Sequence, residues 1–328
     1  MIPLLDVRGL TKHYAGAHGR VLRALEDVSF TMAKGEALGV VGESGCGKST
    51  LGRTLLKLTE PTAGAILFEG EDLAPLSRRA MTARRRHMQL VFQDPFGSLN
   101  PRHKVATIVG EPLAIHGLPG GLARVRELLS LVGLPADAAD RHPHEFSGGQ
   151  RQRIAIARAI ALSPKLLVAD EPVSALDVSI QSQIINLIAD LRRQFGLALL
   201  FISHDLSVIR HVSDRVAVMY LGRIVEIGPM QALFDRPAHP YTRALLSAAP
   251  RRPGEPRRER IVLEGDLPDP SNPPSGCAFH GRCPAAMPRC SVERPALTER
   301  RMEDGGAAVA ACHLHAPVGA PMSSEAAA

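Results

Sequence analysis

The chain has 328 residues, 45% hydrophobic and 4% aromatic, with a formal net charge of +6. That length accommodates one large domain and a smaller one, with a sizeable buried core. No apolar run approaches a membrane span, Leu197 to Ile202 being as long as any, and Asp6 and Arg8 interrupt the first apolar stretch. The expectation is a cytosolic chain without a secretory leader, whose contact with a membrane is peripheral. Basic residues gather in two runs, Arg78 to His87 and Arg251 to Arg260, with no aromatics interleaved. Such runs fit solvated faces or a membrane surface, and nucleic acid is not an expected partner.

In chain order, Leu4 to Leu10 and Val28 to Met32 read as strands, with Tyr14 in a loop between them. The apolar run Ala37 to Val41 predicts a buried strand. Next comes Gly42-Glu43-Ser44-Gly45-Cys46-Gly47-Lys48-Ser49-Thr50, then a helical pattern from Leu51 to Leu58. Strand, glycine-rich turn and helix in that order are the setting a phosphate-binding loop requires. Gly42, Gly45 and Gly47 let the backbone aim N–H groups at phosphate oxygens, and the helix adds the positive end of its dipole. Lys48 would reach the β- and γ-phosphates of a nucleotide, and the Ser49 hydroxyl would ligate Mg²⁺. The bland alternative, a glycine turn with a chance lysine, leaves this order unexplained.

Further strands are predicted at Ala65 to Glu69 and Met88 to Phe92, the latter ending at Gln93. Val105 to Leu134 looks mostly helical, interrupted at Gly117 to Gly121. Phe146-Ser147-Gly148-Gly149-Gln150 opens a helix from Arg151 to Leu162. Leu166 to Ala169 is a buried strand that delivers Asp170 and Glu171 at its C-terminal end. Ser179 to Phe195 carries Ile180, Ile184, Leu187, Ile188 and Leu191 on one helical stripe. Leu197 to Ile202 is another buried strand, ending at His204, and Arg215 to Tyr220 with Arg223 to Gly228 form a hairpin-like close. Buried strands alternating with helices predict a mainly parallel sheet covered on both faces. After Pro250 the texture turns polar and proline-rich, and the stretch from Val318 reads as a disordered tail. The expected division is 1–250 and 251–328.

Acidic residues at the end of a buried strand suit Mg²⁺-assisted phosphoryl chemistry. Asp170 can hold the metal's water shell and Glu171 can polarise an attacking water. His204 also lies at a parallel strand's end, where ligands of open α/β sheets gather. Taken alone, either feature reads as surface polarity; the ordered set does not.

Together these residues resemble the ATPase subunit of an ABC transporter. The resemblance implies an α/β P-loop NTPase core with a mainly parallel sheet, an antiparallel β-subdomain, and a helical signature subdomain at about 97–162 (about, by family likeness). A small C-terminal Cys-rich domain would follow. It implies ATP and Mg²⁺ as cofactors, with Tyr14 stacking on adenine and residues 42–50 binding nucleotide. Ser49, Gln93 and Asp170 would hold Mg²⁺, and Glu171, His204 and Gln93 would be catalytic. Ser147, Gly148, Gly149 and Gln150 match the signature loop that addresses a partner's nucleotide, with Phe146 where Leu is commoner. Asp177 matches a dimer-interface aspartate.

The pieces Val91-Phe92-Gln93-Asp94-Pro95, Ser98-Leu99-Asn100-Pro101-Arg102, Ala175 to Gln181 and His239-Pro240-Tyr241-Thr242 are similar to the oligopeptide/dipeptide/nickel importer branch. Asn100-Pro101-Arg102 and Gly110-Glu111-Pro112-Leu113 look like the second of its two paired ATPase subunits. The resemblance implies import of peptides or of a related solute such as nickel or glutathione. Its partners would be a homologous second ATPase subunit, two transmembrane permease subunits and an external solute-binding protein. Its place would be the cytoplasmic face of the membrane. A soluble chromosome or repair ATPase of the same superfamily would need long heptads between Lys57 and Phe146, and none are present.

Cys46 lies inside the phosphate loop and carries no expected chemistry of its own. Cys277, Cys283, Cys290 and Cys312 are separated by five, six and twenty-one residues. Clustered cysteines in a cytosolic chain point to metal before disulfides. Zinc sites usually show one short gap, whereas wider loops suit an iron–sulfur cluster. The importer branch includes members with a [4Fe–4S] centre at this place. Zn²⁺ stays open as the alternative, with His280, His313 and His315 as alternative ligands. None of the four cysteines is near the nucleotide motifs in sequence, so the expected centre is structural.

Overall fold

The computed structural model describes residues 2–16, 20–249, 259–301 and 307–315. Most of the basic run from Arg251 to Arg260, and the tail from Val318, lie outside the described residues. The N-terminal half contains strands β1 (Leu5–Ala15), β2 (Val21–Met32), β3 (Ala37–Val41), β4 (Ala63–Phe68), β5 (Glu71–Asp72) and β6 (Met88–Val91). Helices α1 (Lys48–Leu55) and α2 (Arg78–Arg85) lie among them, and α3 (Pro95–Ser98), α4 (Val105–Ile115), α5 (Leu122–Leu131) and α6 (Gly148–Ile160) follow. Next come β7 (Leu166–Asp170), α7 (Val178–Phe195), β8 (Ala198–Ile202), α8 (Leu206–Val212), β9 (Arg215–Tyr220) and β10 (Arg223–Pro229). The chain continues through α9 (Met230–Asp235), α10 (Pro240–Ala248), α11 (Pro288–Val292), β11 (Thr298–Arg301) and β12 (Ala307–Ala310).

The larger sheet runs in the order β11-β12-β10-β9-β3-β8-β7-β6. Its β9-β3-β8-β7-β6 part is parallel and its β11-β12-β10-β9 part antiparallel. Every residue of β3, β7 and β8 is buried. Successive side chains on a strand point to opposite faces, and the burial divides accordingly. Leu38, Val40, Val168, Leu200 and Ile202 join one core with Leu51 and Leu55 of α1. Val41, Leu167, Ala169, Leu199 and Phe201 join the other, with Ile154 of α6 and Ile184 and Ile188 of α7. Continuous apolar runs therefore mark strands covered on both faces, as a mainly parallel sheet requires.

The smaller sheet, β2-β1-β4-β5, is antiparallel. Its first hairpin is longer than the apolar pattern predicts. Shifts in register near Leu10 and Lys12 break the alternation, and the pairing continues to Tyr14 opposite Leu22. Tyr14 thus stands on a strand and not in a loop, because bulges hide the strand period. Between β6 and β7, helices α3 to α6 supply the expected helical region, with the break between α4 and α5 at residues 116–121.

The segment after residue 258 leans on this body. Strand β12 pairs with β10 at Glu226–Ala310 and Ile227–Val309, and β11 forms the sheet edge. Neither was predicted: Thr298 to Arg301 is charged and Ala307 to Ala310 is mostly alanine, which are weak strand signals. Phe279 is 1% exposed and belongs to the same core as Tyr220 and Tyr241. The segment's apolar burial is borrowed from its host.

Candidate functional site

Strand β3 runs into the glycine loop and α1 begins at Lys48, which is the order the sequence predicts. Gly47 has φ 103°, and a Cβ there would lie 2.2 Å from the Ala24 carbonyl oxygen. One at Gly42 would lie 2.3 Å from that of Met219. Neither position admits a side chain without moving backbone. Gly47 caps α1 with no side-chain hydrogen bond, so the first-turn N–H groups keep their capacity for an anion.

Lys48 is buried, and its Nζ donates to the carbonyl oxygens of Gly42 (2.8 Å) and Glu43 (3.0 Å). The same ammonium lies 4.0 Å from a Glu171 carboxylate oxygen. Ser49 Oγ donates to Asp170 Oδ1 at 2.8 Å. Asp170 ends β7 fully buried, and that burial pushes its carboxyl above the usual range, against the lowering effect of the Ser49 hydrogen bond. Glu171 follows at φ 45°, with its N–H on the Ile202 carbonyl (3.0 Å) and its own carbonyl accepting from Ser174 Oγ (3.1 Å). A left-handed non-glycine residue costs on the order of 1–3 kcal/mol and survives where its surroundings over-determine it. Gln93 Nε2 donates to Glu171 Oε2 at 3.1 Å, and His204 Nδ1 lies 3.3 Å from the same oxygen.

These groups line a cleft of about 440 Å³. It brings together Tyr14, Ser44, Gly45, Gly47, Lys48, Ser49, Thr50, Gln93, Glu171 and His204, with Leu22 opposite Tyr14 in the hairpin. The Tyr14 ring is partly exposed and has the Lys12 ammonium 4.7 Å from its centroid. Asp170 joins through Ser49. Cys46, counted with the nucleotide loop, instead turns its side chain into the core, and burial raises its thiol.

Ser147, Gly148, Gly149, Gln150 and Asp177 are not among the residues lining this cleft. Ser147 caps α6: its Oγ accepts from the Gln150 N–H (3.4 Å), while Gln150 Oε1 accepts from the Ser147 N–H (3.0 Å). A Cβ on Gly149 would meet Ile180 at 2.5 Å, so glycine there lets α6 and α7 approach. Asp177 caps α7 with no side-chain hydrogen bond and is exposed.

Besides Leu22 and Ala24 of β2, further residues not counted as nucleotide-site residues in the sequence touch this region. Pro270 lines the cleft. Tyr241, within the His239 to Thr242 piece, accepts the Glu43 N–H on its hydroxyl at 2.9 Å. Arg282, adjacent to Cys283, donates to Glu43 Oε2 at 2.9 Å. Only the proximity of Arg282 to the cysteines could have drawn attention to it.

All four C-terminal cysteines are free thiols. Burial, with smaller contributions from the other three thiols, pushes Cys277 up to about 11, and burial also raises Cys283 and Cys312. The Cys277 N–H donates to the Cys290 carbonyl at 2.8 Å. Among the described residues, however, no three Cys, His, Asp or Glu side chains converge as a metal-holding group. The alternative histidine ligands are engaged with backbone carbonyls: His280 with Cys277, His313 with Glu293 and His315 with Ala238.

Residues 25–174 match the family model for the ABC transporter, and residues 225–290 match the oligopeptide/dipeptide transporter C-terminal region. The chain is 55% identical over 302 residues to a peptide import ATP-binding protein of Brucella ovis, covering 91% of this chain and 95% of that one. It is 52% identical over 324 residues to the oligopeptide transport ATP-binding protein AppF of Bacillus subtilis, covering 95% and 97%. Among solved structures, the dimeric ATP-binding cassette MJ0796 bound to ADP and Pi superposes with a TM-score of 0.63 and 29% identity, over 69% of this chain and 98% of that one. The cbiO1 protein of Clostridium perfringens, part of the cbiONQ transporter complex, gives 0.62 and 27%, over 72% and 92%.

Proposed function

The chain belongs to the ATP-binding subunits of ABC transporters, in the oligopeptide/dipeptide branch, and on that footing we propose that it hydrolyses ATP to energise peptide import. The observation that carries the chemistry is the convergence of Lys48, Gln93 and His204 on the Glu171 carboxylate beside an uncapped helix N-terminus. Glu171 is the general base that polarises the attacking water, with Gln93 and His204 fixing its carboxylate. Lys48 serves the β- and γ-phosphates, and the loop N–H groups hold the rest of the triphosphate. Tyr14 offers its ring to the base. Ser49, Asp170 and Gln93 would hold Mg²⁺, which would supply charge neutralisation on the phosphate oxygens and favour the ionised form of the buried Asp170.

The signature loop, Ser147 to Gln150, exposed at both ends, and the exposed Asp177 face a second, homologous ATPase subunit and its nucleotide. The pair sits peripherally on the cytoplasmic face of the membrane, against two permease subunits near Gln93, and an external solute-binding protein delivers the peptide. No helix among the described residues is long and apolar enough to cross a membrane, which fits a peripheral subunit. We divide the chain into 1–250, which carries the catalytic groups, and 251–328, which carries the cysteine site and adds Pro270 to the cleft. The test is uptake of labelled peptide by vesicles containing the reconstituted complex. Uptake should require ATP and stop with Glu171→Gln; equal uptake without ATP would exclude the proposal.

The support for a thiolate-bound metal is chemical and not geometric: the four cysteines are free, and three have their ionisation suppressed by burial and neighbouring thiols, a penalty a cationic centre would relieve. We read them as ligands of a [4Fe–4S] cluster, with Zn²⁺ as the alternative. Such a centre would cross-link the loops of the C-terminal segment. Elemental analysis of anaerobically prepared protein should find about four iron atoms and matching sulfide per chain. Stoichiometric zinc replaces the cluster reading, and absence of both metals rejects it.

A further inference from the structure

Glu43, the second residue of the phosphate loop, is gripped from three directions, two of them by the C-terminal half of the chain. Its N–H donates to Tyr241 Oη at 2.9 Å, its carboxylate accepts from Arg282 Nη1 at 2.9 Å, and its carbonyl accepts from Lys48 Nζ at 3.0 Å. Arg282 also reaches Tyr220 Oη at 3.5 Å. The Arg282–Glu43 pair is largely sheltered, with side-chain exposures of 11% and 27%.

The turn that presents Arg282 is braced. The His280 and Arg282 N–H groups close it onto the Cys277 and Phe279 carbonyls at 3.0 Å each, and the Cys277 N–H ties it to Cys290 at 2.8 Å. Gly276 sits so close to the Cys290 carbonyl that a Cβ would approach it to 2.3 Å. Phe279 is wedged among Tyr220, Tyr241 and His239, with ring centroids 5.3, 5.4 and 5.7 Å away. The cysteine-bearing turn and the two tyrosines therefore form one packed unit seated on the loop. The same segment lines the cleft itself through Pro270, whose carbonyl accepts the Arg23 N–H at 3.2 Å.

We infer that Arg282 is a positioning residue for ATP binding: through Glu43 it holds the phosphate loop in its phosphate-accepting shape and neutralises a carboxylate carried by that loop. The cysteine-bearing turn is then part of the nucleotide site and not a remote staple. Without Arg282, the phosphate loop carries an uncompensated negative charge on Glu43 and loses one of the contacts that anchor it. A sheltered, charge-assisted hydrogen bond couples two sites more strongly than an exposed ion pair. The inference rests on reading residues 42–50 as the nucleotide loop.

The test is a binding cycle on the full-length chain, titrating MgATP into wild type, Arg282→Met, Arg282→Lys, Glu43→Gln and the double variant Arg282→Met/Glu43→Gln. Arg282→Met should weaken binding about tenfold, within the usual range for a coupling between sites. Arg282→Lys, which keeps the charge, should recover part of that loss. In the Glu43→Gln background, Arg282→Met should cost less than about twofold, because its target is already neutral. Wild-type affinity in Arg282→Met overturns the inference. So does a tenfold loss that persists in the Glu43→Gln background, since the effect would then come from loosening of the C-terminal segment. Lys48→Ala with undiminished affinity would instead reject the nucleotide-loop reading on which it rests.

Discussion

Two glycine-rich turns in this chain open helices, and they leave the helix end in opposite conditions. At the phosphate loop, Gly47 caps α1 in a left-handed conformation with no side-chain acceptor, and the loop lies in the cleft with Lys48, Gln93, Glu171 and His204. At the signature loop, Ser147 and Gln150 satisfy each other in a reciprocal capping box on an exposed turn. The first turn has no side-chain cap, whereas the second satisfies its Gln150 N–H from within. Capping uses a lone pair of the Ser147 hydroxyl, and its proton is left for an outside acceptor. The contrast supports the proposal that the chain binds nucleotide at one place and contributes to a neighbour's site at another.

The largest expected effect falls on the uncapped turn. Lys48→Ala removes the buried ammonium that serves the phosphates, and both affinity and turnover should collapse by about 100-fold or more. Isothermal titration with MgATP beside a phosphate-release assay measures both losses. Unchanged affinity would mean that the loop is not the anion site. Ser147→Arg addresses the capped turn instead. It should leave MgATP binding by the isolated chain within about twofold, because distant sites act independently, yet abolish ATP-dependent pairing with the second subunit. A purified chain that alone forms an active, ATP-bound homodimer would contradict the heteromeric arrangement.

The smallest effect concerns pH and the packing behind the phosphate loop. Burial, with smaller contributions from His315 and Arg243, holds His239 down to about 3. Its Nδ1 accepts the Tyr241 N–H at 3.1 Å, a role that needs the neutral ring. Unfolded, the imidazole titrates near about 6.5. The native state refuses a proton that the unfolded chain accepts, so this contribution lowers stability as pH falls from about 6.5 toward 3. Denaturant midpoints from pH 7.5 to 5 should fall more steeply for wild type than for His239→Asn, which retains a capping acceptor without the titration. Equal slopes would remove His239 as the source.

The sheet was legible because its physics is local: β3, β7 and β8 are apolar runs whose every residue is buried. The phosphate loop was legible because its glycines are demanded by backbone approach, at 2.2 Å for a Cβ on Gly47. Tyr14 was misplaced in a loop because bulges interrupt the alternation of β1. Strands β11 and β12 carried no strand composition, and their pairing with β10 is non-local. Arg282 was invisible as a nucleotide-site residue because its partner Glu43 lies 239 positions away. The cysteines were read from spacing, but spacing does not say that the turn bearing them rests on the phosphate loop. Long-range contacts of this kind follow from how the C-terminal segment borrows the core around Tyr220 and Tyr241.

The central claim is that Glu171 activates the water that attacks ATP. Glu171→Gln keeps the side chain's shape and hydrogen bonding with Gln93 and His204 while removing its basicity. The decisive measurement is MgATP affinity and single-turnover phosphate release on the same preparation of the reconstituted complex. The account predicts affinity within about twofold of wild type, turnover lower by about 100-fold or more, and a long-lived ATP-bound pair. Wild-type turnover in Glu171→Gln would contradict it.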